Sequence, residues 1–409
     1  MAKLRILHIG KYYEPFKGGI ETFLRDLVES HTMQEHCDLS VLAHHHQTNQ
    51  PTRNELINGV NVTRVKLWRR LVFAPICPTF LKELNRSIDK NAPDVLHIHM
   101  PNLSAFACLL SKRARQRPWI IHWHADVLGS APDWRVKILY PLYRIFEKAL
   151  LKYAKTIICT SPPYLESSQA LAGYKHKCVV IPLGLRANAP PHDRTNPNTT
   201  DPPTPTTETL KLLMIGRLTY YKGHELLLQA IRELNNIELT IIGEGELRPQ
   251  IEQRIKEWGL SDRVAVLGKV SDEDIETAIE QCDLVALPSL ERTEAFGLVI
   301  LEAARRGKPA LAARVPGSGM GWVVVHNQTG WSVTPNSAAE LTRQINHLSQ
   351  HRGLIAACGQ SARSRFAQHF TIEGVAKSLL KTYLSVTPVS AANGPNENTA
   401  PTTPGSEPR

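Results

Sequence analysis

Between Pro288 and Pro309 the chain reads PSLERTEAFGLVILEAARRGKP. An apolar run from Asp283 to Leu287 has the makings of a strand, and it delivers a short polar loop. A helix is expected to start near Phe296, with Gly307 and Pro309 stopping it. A loop that ends on a helix N-terminus presents unpaired backbone N–H groups, and the helix dipole adds partial positive charge there. The chemistry on offer is phosphate binding without a metal. Two carboxylates bracket this feature, Glu294 on the loop and Glu302 eight positions later. Two turns into a helix, Glu302 would stand about 10 Å from Glu294 along the axis, so the pair can address opposite ends of one ligand. For Glu302 alone, a solvated helix residue is the plain alternative.

Other polar groups carry less. His97 and His99 in DVLHIHM sit near a strand end, where packing in a core is expected ahead of a place in a cleft. The run His44–His46 invites a metal reading, but no carboxylate or cysteine is spaced to complete a site, so a loop is expected. Gly243-Glu244-Gly245 is half a dinucleotide fingerprint, with the third glycine missing.

These residues need elements to hold them. Short apolar runs (LRILHIG, CDLSVLAH, DVLHIHM, WIIHWHA, KTIICTS, CVVIPLG) alternate with helical patterns up to residue 186. After residue 209 the alternation resumes with KLLMIGR, ELTIIGEG, RVAVLGK, DLVALPS and KPALAAR, with a helix from His224 to Leu234 among them. Fully apolar strands separated by helices predict parallel sheets covered on both faces. The fold class is therefore α/β, with two facing doubly wound, Rossmann-like domains and a cleft between them. Ligands in such sheets bind beyond the carboxyl ends of the strands. Residues 187–209 and 387–409 are rich in Pro, Thr and Asn, and are expected to be an interdomain linker and a disordered tail. The domains then span 1–186 and 210–371, with a closing helix over 372–386.

The 409 residues have the balance of a soluble globular protein, 42% hydrophobic and 21% charged. The N-terminus passes directly into the first strand, which argues against a signal peptide. The seven cysteines are scattered and never spaced C-x-x-C, as in a reducing cytoplasm. Charge is uneven. Residues 1–190 hold 26 Lys and Arg against 14 Asp and Glu, while the rest hold 22 against 24. A basic first half suggests an anionic partner, with a merely soluble basic surface as the equal alternative. No nucleic-acid-binding signature accompanies it, so an anionic membrane surface or a lipid diphosphate is preferred. Two segments, 135–153 and 65–73, are basic and apolar enough to lie on such a bilayer, although ordinary packing explains them equally well.

The segment Pro288–Pro309 resembles the E-x(7)-E signature of the retaining glycosyltransferases called family 4, which have the GT-B fold. The likeness covers nearly the whole chain outside the linker and tail. IGRLTYYKG is similar to the family's donor-phosphate motif, KGGIETFLRDL to its glycine-rich loop, and WHADVLGS to the segment carrying its active-site histidine. IIGEGELRPQIE and VLGKVSDEDI resemble the segments flanking the base pocket.

The resemblance implies a role for each residue. Arg217 and Lys222 would neutralise the diphosphate, and Gly18 and Gly19 would admit the phosphates close to the backbone. Glu302 would bind the ribose hydroxyls and Glu294 the sugar near the reacting centre. The amides of Phe296, Gly297 and Leu298 would hold the sugar and distal phosphate. His124 would contact the sugar and help align the acceptor, and Val270 would make backbone contacts to the base.

It further implies a nucleotide-sugar donor, no metal or other cofactor, a lipid-linked or glycan acceptor, and residence in the cytoplasm, at most peripheral on the inner membrane. PSLERTEAFGLVILEA, SPPYLESS and the WHAD segment look closest to bacterial mannosyltransferases of cell-surface glycan synthesis, hence GDP-mannose. A UDP-sugar donor remains the alternative, and a non-catalytic nucleotide- or carbohydrate-binding protein is the alternative of another class. Where many members carry G-G-x-x-E, this chain has VPGSGMGWVVVHNQTGW. An oxidoreductase is disfavoured by the absence of G-x-G-x-x-G after the first strand.

Overall fold

The structure, a computed structural model, describes residues 3–71, 74–127, 134–187 and 209–387. The expected linker and tail fall almost wholly outside the described residues. The first sheet has eight strands: β1 (Leu4–Ile9), β2 (Cys37–Thr48), β3 (Arg53–Ile57), β4 (Val60–Leu67), β7 (Val95–Met100), β8 (Trp119–Trp123), β9 (Thr156–Cys159) and β10 (Cys178–Val180). Their order is β10-β9-β8-β7-β1-β2-β4-β3, and only β3 runs antiparallel. A separate small hairpin joins β5 (Arg69–Leu71) to β6 (Ala74–Ile76). The second sheet is wholly parallel, in the order β13-β12-β11-β14-β15-β16. Its strands are β11 (Leu210–Ile215), β12 (Ile237–Ile242), β13 (Val264–Gly268), β14 (Leu284–Leu287), β15 (Ala310–Ala313) and β16 (Gly330–Val333).

The strands follow from the sequence in a simple way. Strand β14 (LVAL) and β15 (ALAA) are buried at every position because helices cover both faces of the sheet. The β3–β4 hairpin turns at Asn58 (φ 47°) and Gly59 (φ 83°), the two left-handed positions that a tight Asn-Gly turn requires. That hairpin was not anticipated, nor was β16.

Two expectations are corrected. His44–His46 lie on β2, not on a loop. The helix after the Glu294 loop, Leu298–Arg305, begins after Gly297 and not at Phe296. Of the basic, apolar 65–73 segment, Val65–Leu67 ends β4 and Arg69–Leu71 belongs to the small hairpin.

The closing helix, Ile372–Val386, returns to the first domain. Backbone hydrogen bonds link Leu185 N to Phe370 O (3.0 Å) and Ile372 N to Leu185 O (2.8 Å). Glu373 on this helix accepts from the N–H groups of His31 and Thr32, which open the short helix His31–His36. Tyr383 is fully buried, its hydroxyl 2.6 Å from His97 Nδ1.

Candidate active site

Strand β11 ends at Ile215, and Gly216 follows with φ 149°, a conformation open to glycine. A Cβ there would stand 3.0 Å from Lys222 Nζ, so the bare α-carbon lets the lysine chain lie against the backbone. Lys222 is buried and ion-pairs with Glu294 at 2.5 Å. Burial opposes its charge, but Glu294, with Tyr221 and Glu302, holds its pKa above the ordinary lysine value. The pair thus favours the charged form of Lys222. Arg217 is more exposed and lies 3.3 Å from Glu246.

The loop after β14 is fixed from several sides. Phe296 is buried against Trp322 and Phe370, with ring centroids 6.4 and 6.2 Å away. Removing such a ring typically costs about 3–5 kcal/mol, so the loop has a firm anchor. Ser318 Oγ donates to Glu294 O (2.5 Å), and Gly319 N donates to Ala295 O (2.7 Å). Gly297 has φ 77° and ψ 61°, and a Cβ on it would strike Ile300 and Leu287 at about 3 Å. Among the described residues, the amides of Phe296, Gly297 and Leu298 donate to no backbone or side-chain acceptor. They form the cradle expected for an anion.

With the helix starting at Leu298, Glu302 is one turn in, not two. It is half-buried, which removes the solvated alternative. Burial raises its pKa; Arg305 opposes the shift, and Glu276, Asp26 and Asp272 add to it. Val270 follows β13, half-buried against the core.

The first domain supplies the facing wall. Gly18 caps the helix Gly19–Val28, and a Cβ on Gly19 would come 3.9 Å from Leu298 Cδ2. The glycine loop therefore abuts the start of the Leu298–Arg305 helix. Ion pairs span the two domains: Lys17 with Asp272 (2.5 Å) and Asp126 with Arg292 (2.8 Å), on the loop that carries Glu294. His124, two residues before Asp126, follows β8 and is buried, with no partner for its Nδ1. His97 and His99 are fully packed inside, as expected.

Several groups escaped the sequence reading. Glu21, in the first turn of Gly19–Val28, is buried, and desolvation lifts its carboxyl to about 7 against the pull of Lys11. The Asp126–Arg292 pair left no sequence signal. His8 and His122 join His97, His99 and His124 in one cluster. Its signal was there: H-x-H in two adjacent strands puts four imidazoles on one sheet face.

Two parallel-sheet α/β domains, with an anion cradle on one and a glycine loop against it on the other, define a GT-B glycosyltransferase. Residues 18–184 match the glycosyl transferase 4-like domain and residues 198–365 the glycosyl transferases group 1 domain, and the chain belongs to this family. It is 28% identical over 388 residues to the O-antigen chain mannosyltransferase C of Escherichia coli, covering 94% of this chain and 99% of that one. It is also 28% identical to the D-rhamnosyltransferase WbpZ of Pseudomonas aeruginosa, over 90% and 92% of the two chains. Among solved structures, the sucrose-phosphate synthase of Thermosynechococcus elongatus superposes with a TM-score of 0.74 at 21% identity, covering 94% of this chain and 99% of that one. The protein is an enzyme that transfers a sugar in glycan biosynthesis.

Proposed function

We propose that the enzyme moves mannose from GDP-mannose to a lipid-linked or polysaccharide acceptor, with retention of anomeric configuration. The observation that carries this reading is the convergence of Lys222, Glu294 and three unpaired amides at the start of the Leu298–Arg305 helix. The bond between the sugar C1 and the distal phosphate oxygen breaks, and negative charge grows on the diphosphate. Lys222, Arg217 and the amides place positive charge there in advance. The acceptor hydroxyl attacks the face the phosphate leaves and passes its proton to the departing phosphate oxygen. No side chain is needed as base and no metal is invoked. Glu302 holds the ribose, Val270 borders the base, Gly18 and Gly19 admit the phosphates, and His124 meets the sugar.

Mannose is supported by the near full-length likeness to a mannosyltransferase. A peripheral seat on an anionic membrane is supported by the outer face of the helix Trp134–Tyr153, where Ile138, Leu142 and Ile145 are 66%, 57% and 64% exposed beside Lys137, Lys148 and Lys152. No helix among the described residues is long and apolar enough to cross a membrane.

The test is thermal denaturation with GDP, UDP and NAD added separately, in the presence of chelator, because a ligand of the folded state raises the melting temperature. A shift with GDP, followed by α-mannoside formation from GDP-mannose, supports the proposal. A shift with UDP alone redirects the donor to a UDP-sugar. A shift with NAD alone or with none overturns nucleotide-sugar transfer by this site.

A further inference from the structure

Behind the cleft, five buried histidines share one face of the first sheet. Register pairs His8 on β1 with His97 on β7, and His99 on β7 with His122 on β8. Three of them form a row. His8 Nδ1 lies 3.1 Å from His99 Nε2, and His99 Nδ1 lies 3.0 Å from His124 Nε2. The ring centroids are 5.5 and 5.3 Å apart, so the rings meet edge to edge. His122 stacks on His124 at 4.3 Å with parallel planes, and Phe23 meets both rings edge-on, which leaves them little freedom to turn.

A hydrogen bond between two imidazoles needs one N–H and one lone pair, and a neutral ring owns one of each. Burial holds His8, His99 and His124 neutral, with pKa values below the ordinary imidazole range. His99 spends both nitrogens on its neighbours, so the three tautomers are locked together. Either every Nδ1 carries the proton or every Nε2 does. Changing between them moves one proton across each bond, takes one in at one end and releases one at the other. The two outer nitrogens of the row, His8 Nε2 and His124 Nδ1, are both buried without a partner among the described residues. A proton on either would be a donor with no acceptor in the protein alone, and such buried donors are rare. A sugar hydroxyl oxygen beside His124 would be the missing acceptor for its Nδ1–H, so on the reading of His124 as a sugar contact the arrangement with protons on Nδ1 is favoured.

From this geometry we infer that His99 and His8 are positioning residues that fix His124 as the Nδ1–H tautomer, aimed to donate a hydrogen bond to a hydroxyl oxygen of the donor sugar. The inference deepens the reading of His124 as a sugar contact and rests on it. Each trio His8, His97, His99 and His99, His122, His124 places its nitrogens within 4.8 Å, close enough to invite a metal ion. The row argues for the tautomer role instead, because His99 belongs to both trios and has no nitrogen to spare.

The experiment uses the full chain with His99→Phe, His99→Gln and His124→Ala, and GDP or UDP, whichever binds, as the nucleotide probe. Histidine ¹⁵N NMR on wild type is expected to show His124 protonated at Nδ1, and His99→Phe is expected to show both tautomers. His99→Phe should lower kcat by about tenfold or more, as misplaced imidazoles do, and leave nucleotide affinity within about twofold. His99→Gln, which keeps a donor and an acceptor, should recover part of the loss. Wild-type kcat in His99→Phe beside a dead His124→Ala overturns the positioning role and leaves the sugar contact standing. Full activity in His124→Ala overturns the contact itself. Should His99→Phe fail to fold, the wild-type spectrum decides alone, since His124 protonated at Nε2 overturns the proposal. A stoichiometric metal retained through chelation by wild type and lost from His99→Gln overturns it too.

Discussion

The two domains share one architecture and put opposite chemistry at the ends of their strands. Behind the cleft in the first domain lie imidazoles that burial keeps uncharged. In the second, charges are paired: Lys222 with Glu294, and Arg305 and Arg306 with Glu276. A buried ion must be matched or it destabilises the fold, and a diphosphate needs cations held in place before it arrives. A sugar has no charge, so neutral groups with a set hydrogen-bonding sense are enough for it. On the proposed function, the contrast divides one fold between the two ends of a nucleotide sugar.

Breaking the charged side should cost most. Lys222→Ala is expected to lower kcat by roughly 10²-fold or more, the scale of losing one charge stabiliser; a near-wild-type rate would remove Lys222 from the phosphate site. Glu302→Ala should raise the donor KM by about 10-fold or more with a smaller change in kcat, because its hydrogen bonds form in ground and transition states alike. Steady-state kinetics with a varied donor separates the two, and a loss confined to kcat would refute the ribose role.

Glu21 sharpens the comparison on the first domain's side. Its carboxyl takes a proton near pH 7 when folded, against an ordinary value of 4.5. The folded state therefore binds more protons between those values, and stability contributed by this group falls as pH rises from 4.5 to 7. Glu21→Gln should flatten that slope, gaining up to about 3 kcal/mol relative to wild type at pH 8 compared with pH 4.5. Denaturant melts at the two pH values check this, and parallel pH profiles for both proteins would refute it. The smallest expected effect is from chelator, which should leave turnover unchanged; strict dependence on added Mg²⁺ or Mn²⁺ would refute metal-free transfer.

The strands and the loop carrying Glu294 were legible because their signals are local: apolar runs, a glycine before a helix, carboxylates at a fixed interval. The error of two residues at the start of the Leu298–Arg305 helix has a local cause as well. Phe296 looks like a first helical residue, but its ring is drawn into the core by Trp322 and Phe370, and Gly297 makes the turn instead. What could not be read were meetings of distant residues. Asp126 and Arg292 are 166 positions apart, and His97 and Tyr383 are 286 apart. Glu21 was quoted within a motif, but its buried state depends on packing that no spacing reveals.

The return of the closing helix also bears on where the protein can be cut. The first domain is not one continuous piece of chain, since Glu373 caps its His31–His36 helix and Tyr383 fills the space beside His97. A fragment ending at Arg186 would open that space to water and leave the amides of His31 and Thr32 without their carboxylate. Residues 370–387 carry the groups that close it, so the first domain depends on a segment that follows the second.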